Sequence, residues 1–138
     1  PPFRLAASED DDTFSALATF DTFEPGKSTN TVYEDTVVGS GEKIKWGETA
    51  TIKYSGRLLV SNKEFDSGTI GFKVGAGNVI QGWEMGLPGM KVGGKRTLKI
   101  PPNMAYGKRG QGEDIPPDAD LIFDCELKGV GETSGTSP

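Results

Sequence analysis

The sequence predicts an α+β domain in which several short antiparallel strands wrap over one short helix that plugs a curved sheet. Three observations carry this: strand-period alternation at 49–58 and 121–127, a single helical-period segment at 79–87, and glycine and proline punctuation between them. From Thr31 onward the pattern is β. Over Thr49 to Leu58, Ala50, Ile52 and Tyr54 share one face while Thr51, Lys53 and Ser55 take the other, which points Tyr54 inward. Val79, Ile80, Trp83 and Leu87 fall on one side of a 3.6-residue wheel that Pro88-Gly89 ends, a helix of about two turns. Gly82 and Gly86 each cost that helix roughly 1 kcal/mol relative to alanine, so close packing against a sheet is expected to hold it. Lys95 to Ile100 forms a short strand, reached through Gly93-Gly94 as a tight hairpin and stopped by Pro101-Pro102. Leu121, Phe123, Cys125 and Leu127 point inward, with Ile122, Asp124 and Glu126 opposite.

The 138 residues divide into an acidic N-terminal extension (1–30), one domain (31–130) and a disordered C-terminal tail (131–138). Residues 1 to 24 hold Glu9, Asp10, Asp11, Asp12, Asp21 and Glu24 against Arg4 alone, and the remaining 14 acids and 14 bases cancel. The extension reads as a flexible tail or a docking segment, with Asp12 capping a short helix that carries Phe14, Leu17 and Ala18. Glu24-Pro25-Gly26 reads as a turn or linker. Pro1 in place of a start methionine leads to the expectation that something upstream was removed, by processing or by trimming of the sequence. No apolar stretch nears the ~20 residues that cross a bilayer, so no transmembrane segment and a soluble chain are expected.

Composition excludes whole classes of chemistry. With no histidine, neither a Ser-His-Asp nor a Cys-His nucleophilic set can form, and the commonest zinc ligand is missing, so no metal or cofactor is expected. Cys125 is the one cysteine and reads as a small buried hydrophobe with no chemistry. There is no phosphate-binding loop: Gly86-Leu87-Pro88-Gly89 contains a proline that breaks a helix start. Lys95-Arg96 and Lys108-Arg109 are isolated basic pairs read as solvated surface, so no nucleic acid is expected as a partner.

Trp83 would present its indole to the concave side of the sheet, where Tyr54, Phe65, Phe72 and Phe123 could wall a shallow cavity suited to a pyrrolidine ring. In isolation the same residues read rather as an aromatic core. Their order in the chain adds a resemblance. Tyr54-Ser55-Gly56, Lys63-Glu64-Phe65-Asp66-Ser67, Phe72-Lys73-Val74-Gly75, Val79-Ile80-Gln81-Gly82-Trp83-Glu84, Gly93-Gly94-Lys95-Arg96, Ala105-Tyr106-Gly107, Ile115-Pro116-Pro117 and Leu121-Ile122-Phe123-Asp124 stand in sequence. From about Val38 to Val130 the chain thereby resembles the FK506-binding protein (FKBP) type of peptidyl-prolyl cis/trans isomerase, whose fold is a half-barrel around one helix.

The resemblance implies that Tyr54, Asp66, Trp83, Tyr106 and Phe123 are catalytic and that Phe65, Phe72, Val79, Ile80 and Ile115 bind substrate. Trp83 would be the floor, Tyr106 would donate a hydrogen bond to a substrate carbonyl, and Ile80 would offer its backbone amide. It implies proline-containing polypeptides as substrates and a macrolide of the FK506 or rapamycin type as a ligand. Two departures stand out: the loop Ser67-Gly68-Thr69-Ile70-Gly71 is short and lacks the arginine that often pairs with the aspartate, and Val74 replaces a frequent aromatic. The flap Lys108 to Asp114 is charged where drug-binding members are more apolar. The short loop and the acidic extension also motivate an alternative, a catalytically weak binding or assembly subunit of a larger, photosynthetic complex docked through its N-terminal segment. The phrasing of Leu87 to Leu98 and Ile100 to Tyr106 is most similar to plastid members, including thylakoid-lumen forms, so a plastid is expected, with the cytoplasm as the alternative.

Overall fold

A computed structural model of the chain describes residues 20–131, so the helix expected behind Asp12 and the tail from 132 onward lie outside the described residues. Five strands form one antiparallel sheet: β1 (Val32–Val37), β2 (Thr49–Leu58), β3 (Glu64–Lys73), β4 (Lys95–Ile100) and β5 (Leu121–Val130), in the order β1-β4-β5-β2-β3. Among the described residues one helix, α1 (Gln81–Gly86), crosses the concave face, and a 3₁₀ turn (Pro102–Met104) follows β4. This is the α+β half-barrel expected, with Ile52, Leu98, Ile100, Leu121 and Leu127 fully buried between sheet and helix.

The register places the aromatic positions. Tyr54 lies opposite Gly68 on β3 and Cys125 on β5, and Gly56 lies opposite Asp66 and Phe123. Cys125 is buried, and burial pushes its thiol up to about 12, so no thiolate is present near neutral pH.

Three expectations need correction. Residues 67–71 are not a loop: β3 runs unbroken from Glu64 to Lys73 because Ser67 to Gly71 pair residue by residue with Ser55 to Thr51. Gly93-Gly94 does not make a hairpin between consecutive strands. Gly93, at φ 91°, turns the chain from Lys91, itself bridged to Lys43, into β4. Arg96 is not solvated surface but is 4% exposed. Its guanidinium donates to Asp35 at 2.6 Å and to the Gly86 carbonyl at 2.7 Å, and it lies 3.8 Å from the centre of the Tyr33 ring. A planar cation with five donors can satisfy a carboxylate and a helix-terminal carbonyl together, which a lysine cannot.

Residues 20–31 lie along the body. Lys99 Nζ sits 4.0 Å from the Phe20 ring centre and donates to the Phe20 carbonyl, and Phe23 is buried.

Helix α1 is only six residues long, and Ile80 precedes it without a side-chain cap, so packing decides its stability. A Cβ built on Gly82 would lie 2.5 Å from Ile100 Cγ2, and one on Gly86 2.8 Å from Leu98 Cδ2. Both obstacles belong to fully buried side chains that have nowhere to move. Gly82→Ala is therefore expected to destabilise by about 1–3 kcal/mol through overpacking, despite alanine's better helix propensity, read as a lower urea midpoint with unchanged slope. An unchanged or raised midpoint would show that the glycine is not needed for close approach.

Candidate active site

Trp83 reaches the centre of the concave face because α1 lies flat against β4. Three rings meet the indole: Tyr54 at 5.2 Å and 78°, Phe123 at 5.4 Å and 84°, and Phe72 at 5.7 Å and 53°. The first two are edge-on contacts that fix ring orientation as well as bury area. Phe65 stands edge-on to Phe123 at 5.6 Å and 85°. Gly56 makes that pair possible, since a Cβ there would lie 2.6 Å from the Phe123 ring and 2.8 Å from Phe65.

These rings frame an open hollow of about 390 Å³, bordered by Tyr54, Phe65, Asp66, Val79, Ile80, Trp83, Tyr106 and Phe123. That volume lies in the range of small-ligand sites, and its lining has the expected character, apolar walls with a few polar atoms. Phe72 and Ile115 do not border it. Both are buried, Phe72 behind the indole and Ile115 in the core beneath its loop, so each supports the wall rather than forming it. Ile70, Gly77 and Asn78 complete the rim and were missed. Ile70 would have been found by reading β3 as a strand, because residues 66, 68, 70 and 72 then share a face. A larger groove of about 620 Å³ crosses the outer face, lined by Lys53, Ser55, Ser67, Thr97 and Asp124 among others. Tyr54 is the one aromatic residue along it, whereas Tyr54, Phe65, Trp83, Tyr106 and Phe123 converge on the smaller hollow, to which the site is assigned.

The polar atoms sit at the rim. Tyr54 Oη donates to Asp66 Oδ2 at 2.8 Å, so the aspartate is held by a phenol although no arginine follows it on β3. Burial, followed by the bond to Asp66, pushes the Tyr54 phenol up to about 12. The Tyr106 phenol is also raised, by burial first and then by the Asp66 carboxylate. Both hydroxyls therefore remain donors throughout the physiological range. The Ile80 amide makes no hydrogen bond among the described residues and stands at the start of α1. Trp83 Nε1 is buried without a partner among the described residues.

Glu84, also missed, holds the opposite rim. Its buried carboxylate accepts from the amides of Gly75 at 2.7 Å and Gly77 at 2.8 Å, tying the 75–79 segment to the helix that carries the indole. The available signal was an acid directly after Trp83 with a glycine-rich loop a few residues upstream.

This geometry agrees with the comparisons. Residues 40–128 match the model of the FKBP-type peptidyl-prolyl cis-trans isomerase family. The chain belongs to that family. It is 50% identical over 100 residues to the 39 kDa FK506-binding nuclear protein of Drosophila melanogaster, covering 70% of this chain and 28% of that protein. Against the peptidyl-prolyl cis-trans isomerase FPR2 of Saccharomyces cerevisiae it is 48% identical over 89 residues, covering 61% of this chain and 66% of the other. The crystal structure of AtFKBP13 superposes with a TM-score of 0.67 at 40% identity, covering 72% of this chain and 91% of that one. The chain thus spans little more than a quarter of the Drosophila relative.

The Tyr54–Asp66 bond can be tested by titration. Below pH 10 the phenol is protonated in folded and unfolded chains alike and the bond is intact; between about 10 and 12 only the unfolded chain ionises, so stability falls as pH rises through that window. Ultraviolet titration should show one of the three tyrosines ionising near 12, with that step absent in Tyr54→Phe and moved toward 10 in Asp66→Ala. Identical titration curves for the parent and Asp66→Ala would mean the bond does not exist in solution.

Proposed function

We propose that this chain is a peptidyl-prolyl cis/trans isomerase that assists folding or assembly of proline-containing polypeptides. The observation that carries the proposal is the open hollow over Trp83 with the Tyr106 hydroxyl and the Ile80 amide, which has no partner among the described residues, at its edge. A prolyl ring enters over the indole, Ile80 N–H and Tyr106 Oη donate to substrate carbonyls, and Tyr54 and Asp66 border the carbonyl of the rotating bond.

The chemistry needs no nucleophile, general base or metal. Amide resonance sets a rotation barrier of ~18–20 kcal/mol, and uncatalysed X-Pro isomerisation takes tens to hundreds of seconds. The planar amide is more dipolar than the twisted one, so a water-poor aromatic wall disfavours the planar form relative to water while the two donors hold the flanking chain in a turn. Each ~1.4 kcal/mol of such preference is a tenfold gain in rate, so a thousandfold acceleration requires only about 4 kcal/mol.

The same hollow is proposed to admit a macrolide of the FK506 type, weakened by the charged flap Lys108 to Asp114. A plastid location is proposed on the phrasing of residues 87–106, and immunoblots of purified plastids against nuclear and cytosolic fractions of the source cells decide it. Signal confined to nuclei, as the name of the Drosophila relative suggests for that protein, would reject it.

A protease-coupled assay on an X-Pro tetrapeptide tests the activity. The parent should accelerate isomerisation well above background, and Tyr106→Phe should lose roughly five- to tenfold in kcat/KM, the scale of one hydrogen bond. A folded parent with background rates would reject catalysis and leave a binding or assembly role for the hollow.

A further inference from the structure

The connection from 101 to 120, between β4 and β5, carries Tyr106 and Ile115. Its middle is tied to itself: Gly107 N–H donates to the Pro102 carbonyl at 2.9 Å, Gly110 N–H to Tyr106 at 3.1 Å, and Asp118 N–H to Gly107 at 2.9 Å. Its two ends are tied to something else. Asn103 Nδ2 donates to the Thr29 carbonyl at 2.9 Å, and the Thr31 hydroxyl lies 3.2 Å from Met104 Sδ. At the far end, Gly26 N–H donates to Asp120 Oδ2 at 2.9 Å. The short stretch 26–31 therefore spans from the 3₁₀ turn two residues before Tyr106 to the residue that precedes β5.

That stretch is itself ordered. Lys27 and Ser28 amides donate to the Glu24 carbonyl at 3.0 and 2.9 Å, and the Glu24 amide donates to Ser28 Oγ at 2.8 Å, closing a turn next to buried Phe23. A long loop closed only by its own bonds keeps many conformations. Pinning both ends to one preformed turn removes most of them before substrate arrives, so less freedom remains to be lost on binding.

We infer that residues 23–31 brace the Tyr106 loop from outside the site, with Asn103 and Asp120 as positioning residues through which the N-terminal extension controls substrate turnover. The inference deepens the isomerase reading and rests on it for its effect on rate, while the brace itself stands on geometry alone.

The test uses the full chain and compares the parent with the Asn103→Ala/Asp120→Ala double variant and with Asp120→Asn, which keeps an acceptor for Gly26. Two quantities are read: native-state amide exchange, and kcat/KM on an X-Pro tetrapeptide. In the double variant the Gly107 and Asp118 amides should exchange about tenfold faster while the amides pairing β2 with β5 stay as protected as in the parent. In parallel, kcat/KM should fall roughly three- to tenfold, with Asp120→Asn close to the parent in both readings. Asn103→Ala alone, an exposed substitution, carries the same readings should the double variant fail to fold. Unchanged Gly107 and Asp118 exchange overturns the brace, as does acceleration of the β2–β5 amides by the same factor, which marks a global loss of stability. Loosened loop amides with unchanged kcat/KM overturn the positioning role. Should the parent show no turnover, the isomerase reading fails, and the exchange measurement still decides the brace.

Discussion

The contact of α1 with the sheet governs the rest of the molecule. Two glycines face Ile100 and Leu98 at distances where a methyl group would not fit, so the helix axis lies closer to β4 than side chains would normally permit. The indole of Trp83 is thereby carried into the middle of the concave face, within ring contact of Tyr54, Phe72 and Phe123. A helix of six residues has little stability of its own, and it persists because tertiary burial and the Arg96 fork on the Gly86 carbonyl hold it. Shape and position come from the same close approach.

Around that floor the polar groups divide by task. Glu84 and Arg96 are buried and hydrogen-bonded, and each joins separate stretches of chain: Glu84 the 75–77 segment to the helix, Arg96 strand β1 to the helix end. Buried charges are tolerable only when satisfied in this way. Tyr54, Asp66 and Tyr106 instead stand at the opening, where burial keeps both phenols protonated and able to donate. The reaction proposed for the site, rotation about an amide, requires neither a base nor a nucleophile.

Period-2 alternation made β2 and β5 legible, and the inward side of Tyr54, Phe123 and Cys125 followed from it without any knowledge of the fold. The helix was legible from Val79, Ile80, Trp83 and Leu87, although its regular part is shorter than the apolar pattern because Ile80 and Leu87 serve as its flanking residues. Residues 67–71 misled because the likeness to the family was taken to place a loop there, whereas each of them pairs with β2. Phe72 and Ile115 misled in another way: both belong to the aromatic and apolar set near the hollow, but their strand and loop positions turn them into the core behind it.

What the amino-acid order determined by itself is everything that repeats within a few residues: strand period, helix period, glycine and proline stops, and the succession of short motifs that marks the family. One class of chemistry was settled with it, since a chain segment without histidine cannot build a histidine-dependent nucleophilic set. Only the tertiary structure decided which polar residues are buried and which partners lie far apart in the chain. Arg96 meets Asp35 across 61 positions, and Gly26 meets Asp120 across 94. Such pairs leave no local period, because their energy depends on removal from water in a place that exists only once the sheet has closed over the helix.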